Sequence, residues 1–147
     1  MTHVVCAGVV DVAAPLSRAF AFFTPEGERL WVAGWDPQYL PPSDGALQDG
    51  LCFRTTHGGE TTLWFVSRLD AGSGVVDYVR ITPGSRMGRV SVRCRETVDG
   101  GTRASVTYQL SAVSAEGEQV LDRFAAGFEA MLAEWTARIA TVIAKQG

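Results

Sequence analysis

The stretch TRASVTYQLSAVSAEGEQVLDRFAAGFEAMLAEW, residues 102–135, changes its period partway along. Up to Val113 the pattern alternates, with Ala104, Val106, Tyr108 and Leu110 set against Arg103, Ser105, Thr107 and Gln109. A period of two predicts a strand with one buried face. Beyond it Leu121, Phe124, Phe128, Met131, Leu132, Trp135, Ile139 and Val142 fall at three- and four-residue steps. They draw a single apolar stripe along a long amphipathic helix. Ser114 is placed to cap that helix, with Glu116 and Glu118 near the positive end of its dipole.

Upstream, the same strand pattern repeats. In RVSVRCRETV (89–98), Val90, Val92 and Cys94 share one face and Arg89, Ser91, Arg93 and Arg95 the other. LCFRTTH (51–57), TTLWFVSRLD (61–70) and VVDYVRI (75–81) also read as strands, separated by turn signals at Gly58-Gly59, AGSG (71–74) and Pro83-Gly84. HVVCAGVVDV (3–12) is a first strand, stopped by Pro15. Leu16, Ala19, Phe20 and Phe23 recur at helical spacing, which predicts a short helix over 16–23. Thr24-Pro25 then looks like the cap and first position of a second short helix of about two turns. Gly34 suits its end, and 34–50 reads as a long Pro- and Gly-bearing loop.

Short turns imply antiparallel neighbours. The prediction is therefore an α+β fold: a curved antiparallel sheet of about six to seven strands wrapped around a long C-terminal helix, with two short helices after the first strand. Only the C-terminal helix is long and apolar enough to cover the sheet. A bent sheet on a single helix leaves a space between the two. The aromatic segment TPEGERLWVAGWDP (24–37) would roof it.

The 147 residues fit one domain spanning 1–147. Such a chain can bury roughly two thirds of its unfolded surface without a covalent staple. Net charge is −3, so the chain as a whole does not attract a phosphate backbone. Arg86, Arg89, Arg93, Arg95 and Arg103 form the only basic cluster. They read as a solvated sheet face without the interleaved aromatics that single-stranded nucleic acid would want. No apolar run reaches the roughly 20 residues of a membrane span, and the N-terminus lacks the pattern of a signal peptide. Cys6, Cys52 and Cys94 are far apart and odd in number, which reads as reduced thiols in a cytoplasmic protein. No cofactor motif occurs, and two distant histidines offer no metal-ligand spacing. A homodimer is compatible with the sequence.

The whole chain resembles the SRPBCC superfamily, also called START-like or Bet v 1-like, with the helix-grip fold. The resemblance is carried by Val10-Asp11-Val12-Ala13-Ala14-Pro15 at the strand-to-helix entry, by the aromatic helix pair up to Trp31, and by the ending from Phe124 to Trp135. It looks most like the polyketide cyclase/dehydrase-like and Hsp90-ATPase-activator-like branches. It implies a deep, largely apolar pocket between sheet and helix, in proteins that bind lipids, hormones or polyketides, catalyse cyclisation or dehydration, or act as co-chaperones. No catalytic signature of the family can be carried onto this chain.

The residues name candidates for that pocket. Phe53, Trp64, Phe124 and Phe128 would supply apolar walls, and Trp31 and Trp35 a lid. His57, Tyr78, Arg80 and Tyr108 would orient a ligand, with Thr55 on the face of Phe53 and His57. Tyr78 and Arg80 share one face of their strand, whereas Val75, Val79 and Ile81 argue that the opposite face points inward. If Tyr78 and Arg80 do face the cavity, they suit a carboxylate or enolate oxygen. His57 with Glu60 beside it is the one candidate for proton transfer. Three readings follow. The first is a protein that encloses a hydrophobic or aromatic small molecule. The second is a cyclase- or dehydratase-like enzyme with His57 as base and Tyr108 or Arg80 as oxyanion partner. The third is a protein-interaction module using the outer sheet face.

Overall fold

The computed structural model describes residues 2–146. Ten elements follow in order: β1 (His3–Val12), α1 (Leu16–Ala21), α2 (Pro25–Glu28), β2 (Gln38–Tyr39), β3 (Cys52–His57), β4 (Glu60–Asp70), β5 (Val75–Thr82), β6 (Arg86–Glu96), β7 (Thr102–Ala112) and α3 (Ala115–Gln146). A 3-10 turn, Ala71–Ser73, joins β4 to β5. The strands form one seven-stranded antiparallel sheet in the order β1-β7-β6-β5-β4-β3-β2. This is the helix-grip α+β arrangement expected.

α3 lies along β1 and β7, the end of the sheet where the first and last strands meet. Leu121, Phe128, Leu132 and Ile139 are its buried residues among the stripe read from the sequence. The approach is close: a Cβ on Gly8 of β1 would lie 2.6 Å from Leu132 Cδ1. At the start of the helix the Ser114 hydroxyl accepts from Gly117 N–H at 3.0 Å, as a cap should. Gly117 itself meets the β5–β6 turn, and a Cβ there would lie 2.0 Å from the Ser85 carbonyl oxygen. What the sequence presents as a weak point in the helix is where the helix touches the sheet.

Three elements differ from expectation. The regular part of the second helix ends at Glu28, and the chain goes on through turns such as Trp31 N–H to Glu28 O at 3.2 Å. Tethers replace helix there: Trp31 Nε1 donates to Phe22 O, and Arg29 reaches Asp36 and the Pro37 carbonyl. Inside the loop predicted over 34–50, Gln38 and Tyr39 pair with Arg54 and Phe53 as strand β2. Two residues carry no periodicity to read. β6 begins at Arg86, directly after the turn at Pro83-Gly84.

The facing of β5 is settled in favour of Val76, Tyr78 and Arg80. Val76 and Tyr78 are buried, whereas Ile81 is exposed. Strand β4 shifts register between Val66 and Arg68. The shift bends the sheet and keeps Trp64 and Val66 on the concave side and Leu63 and Phe65 on the exposed side. No helix among the described residues is long and apolar enough to cross a membrane.

Candidate functional site

A cavity of ≈ 350 Å³ opens between the concave sheet and α3. Its mouth lies between the loop after α2, the β3–β4 turn and the middle of α3. Beside it sits a smaller space of ≈ 20 Å³, walled in part by Phe23, Phe53 and Tyr78. Trp35, Trp64, Tyr108, Trp135 and Glu28 line both spaces. The smaller one has room for about one water molecule.

The walls are fixed by the indole N–H groups. Trp64 Nε1 donates to Thr55 Oγ1 at 3.0 Å, and Trp35 Nε1 donates to the Pro25 carbonyl at 2.8 Å. With their polar atoms satisfied, the rings present apolar surface. Phe53 and Trp64 stack with centroids 5.7 Å apart, and Trp35 meets Trp64 edge-on at 5.6 Å. Gly34, at φ 73°, turns the chain just before Trp35 and brings it towards His57 on the opposite rim.

The polar groups divide sharply. Tyr78 donates its hydroxyl to the Phe23 carbonyl at 2.8 Å, which commits it to structure and pins α1 to the sheet. Burial raises its pKa, so it stays a donor. Tyr108 is buried and its pKa is also raised, by burial first, but its hydroxyl has no hydrogen-bond partner among the described residues. Arg80 lays its guanidinium 4.9 Å from the Trp64 ring centroid. One Nη donates weakly to Thr82 Oγ1 at 3.4 Å, and the buried Nε has no partner among the described residues. Burial lowers the Arg80 pKa, as expected for a cation without a counter-charge.

Glu28 escaped the sequence reading. It stands at the end of α2 with its carboxyl towards Tyr78 and Tyr108, and burial alone pushes its pKa up to about 8. A signal was present. Glu28, Val32 and Trp35 are spaced four and three apart, which puts a carboxylate on the apolar stripe of that segment. Alternation places Arg86 on the solvated basic face. Instead its side chain is only 11% exposed and holds Glu60 through two bonds of 2.8 and 3.1 Å at the cavity rim. Arg86 draws the Glu60 pKa down. The expected partnership of His57 with Glu60 is thus replaced by one between Glu60 and Arg86, and His57 stands exposed at the rim.

The remaining candidates are spread out. Thr55 is buried and serves Trp64. Trp31 is buried against Trp135, with centroids 5.3 Å apart, and reaches only an outer hollow beside the mouth. Phe124 and Phe128 pack behind Tyr108, at 4.9 and 5.8 Å, and line neither space. Cys94 is buried, which pushes its thiol up to about 11, and Cys6 and Cys52 are free and half-buried. Among the described residues no group of His, Cys, Asp and Glu is arranged to hold a metal ion.

This architecture is the Bet v 1-like, helix-grip fold. Norcoclaurine synthase from Thalictrum flavum, solved with dopamine and hydroxybenzaldehyde, superposes with a TM-score of 0.70 at 12% identity, covering 99% of this chain and 89% of its own. The Zhui aromatase/cyclase from Streptomyces sp. R1128 gives 0.66 at 16% identity, over 94% and 92% of the two chains. Ara h 8.0201 gives 0.64 at 11% identity, over 95% and 99%. The sequence matches no protein-family model and no curated protein. Identities this low establish the fold and leave the ligand open.

Proposed function

We propose that this protein binds a small aromatic molecule carrying an acidic oxygen, in the cavity between sheet and C-terminal helix. The observation that carries the reading is Arg80: a guanidinium against an indole wall, facing the cavity, with a buried Nε–H and no acceptor. The guanidinium lines the cavity without a paired carboxylate among the described residues, and a carboxylate or phenolate oxygen on its Nη groups would supply one through charge-assisted bonds. A volume of ≈ 350 Å³ is at the lower end of the roughly 300–1,000 Å³ of small-molecule sites. That suits one or two rings better than a long lipid. Trp35, Trp64 and Trp135 would enclose the rings.

The test is a pair of probes, 2-naphthoate and its neutral analogue 2-naphthamide, titrated by calorimetry. The acid should bind at least tenfold tighter, and Arg80→Met should erase the difference. Equal affinities in the unaltered protein would refute the reading. Native mass spectrometry of purified protein would identify a ligand carried from the cell.

One feature supports a second reading, the protein-interaction module. Leu63, Ile81 and Met87 are paired neighbours across β4, β5 and β6, and all three are exposed, with Phe65 beside them. Contiguous exposed apolar surface often marks an interface. If this reading holds, Ile81→Lys should abolish binding of a partner while leaving naphthoate affinity unchanged.

A further inference from the structure

We propose that Glu28 is an acid–base group that moves a proton between carbon and oxygen of an aromatic 2-oxo acid held in this cavity. The inference rests on the binding reading above and adds a reaction to it.

Three groups that line one cavity, the Glu28 carboxyl, the Tyr108 hydroxyl and the Arg80 guanidinium, have no charged partner among the described residues. Two arginines near these groups are already engaged by other carboxylates. Arg29, adjacent to Glu28, turns away to Glu26 and Asp36, and Arg86 takes Glu60. A carboxyl left unpaired in an indole-walled space is costly for the fold, and such groups concentrate where proton transfer is needed. Glu28 titrates at about 8, because burial favours its neutral form. Near neutrality it can therefore both accept and return a proton.

The surroundings of Glu28 allow this. From β5 it faces Tyr78, whose hydroxyl is already donated to Phe23, and from β7 it faces Tyr108. α3 brings Met131 and Trp135, which carry no charge. Arg80, His57, Glu60 and Arg86 line the same cavity. A ligand laid between the indoles would put its carboxylate on Arg80 and its ring against the tryptophans. The carbonyl beside that carboxylate would then reach Tyr108, and the CH₂ between carbonyl and ring would reach Glu28.

The step balances within the molecule. Ionised Glu28 takes one proton from the CH₂. The C–H electron pair becomes a carbon–carbon double bond, and the carbonyl π pair moves onto oxygen, where Tyr108 donates a hydrogen bond. Glu28 then gives its proton to that oxygen. The product is the enol, and the reverse path restores the keto form. Nothing is oxidised or reduced, and no co-reactant is consumed.

The probe is phenylpyruvate in D₂O. Proton NMR follows loss of the CH₂ signal by exchange, and calorimetry follows binding. The unaltered protein should accelerate exchange over buffer, with a rate that rises with pH through about 8. Glu28→Gln should lose roughly 100-fold or more of that rate, with a Kd within about threefold of the original. Glu28→Asp should keep part of the rate, which guards against a folding defect in the amide variant. If the protein binds phenylpyruvate without accelerating exchange, or Glu28→Gln exchanges as fast as the original, the proton-transfer assignment fails and the binding reading stands. If neither phenylpyruvate nor 2-naphthoate binds, both fall.

Discussion

Glu28→Gln should flatten the alkaline side of the protein's stability profile. In the unfolded chain Glu28 ionises near 4.5, and in the fold burial moves that to about 8. A raised carboxyl pKa means that the fold favours the neutral form. The stabilisation is complete below about pH 4.5 and drains away as pH rises towards 8, where it levels off. At about 1.4 kcal/mol per pH unit, that interval is worth ~5 kcal/mol at most. Glu28 is half-buried and faces an open cavity, so hydration of the ionised form narrows that pH window and with it the loss, to ~2 kcal/mol. For a chain of this size such a loss lowers Tm by roughly 5–8 °C. Gln has the same shape and does not titrate. The Tm of both forms should be measured by circular dichroism from about pH 5 to pH 9, and the difference between the two curves is the readout. All other titrating groups cancel in it. Curves that run parallel would show that Glu28 ionises normally, and would remove the electrostatic basis of the acid–base assignment.

Other outcomes follow from single contacts. Tyr78→Phe leaves the Phe23 carbonyl without its donor and should cost about 1–3 kcal/mol, read as a lower urea midpoint at unchanged slope. Gly117→Ala adds a helix former yet should destabilise by about 1–3 kcal/mol, because its Cβ would meet the Ser85 carbonyl oxygen at 2.0 Å. Gly127→Ala, with open space around it, should instead stabilise by up to about 1 kcal/mol, and the two melting curves should move in opposite directions. Trp35→Ala removes an indole shared by both spaces and should weaken 2-naphthoate at least tenfold in calorimetry.

The fold was legible because its signals are long. Eleven-residue strands such as β6 and β7 and a 32-residue helix repeat their period many times, so one irregular residue does not hide it. The site was less so. β5 is apolar on both faces, and Val79 and Ile81 argued for the wrong one, since the inward positions are taken by Tyr78 and Arg80. Aromatic residues that line a cavity look the same in sequence as those that fill a core. That is why Phe124 and Phe128, which pack behind Tyr108, were grouped with Trp64. Glu28 was overlooked because a carboxylate in a short helix is ordinary. Its exceptional feature is the missing partner, which only three dimensions disclose. Arg86 shows the converse: alternation put it on the solvated side, and an ion pair with Glu60 brings it to the rim.

The ≈ 20 Å³ void and the open cavity share five walls, among them Tyr108 and Trp64. The two spaces therefore adjoin. Trimming a large shared side chain such as Trp64 or Tyr108 would add room beside both, without touching the hydrogen bonds that join the strands. If the cavity holds a guest as proposed, side chains rather than the backbone set its size. Guests of different bulk would then differ by side chains, while the frame stays the same.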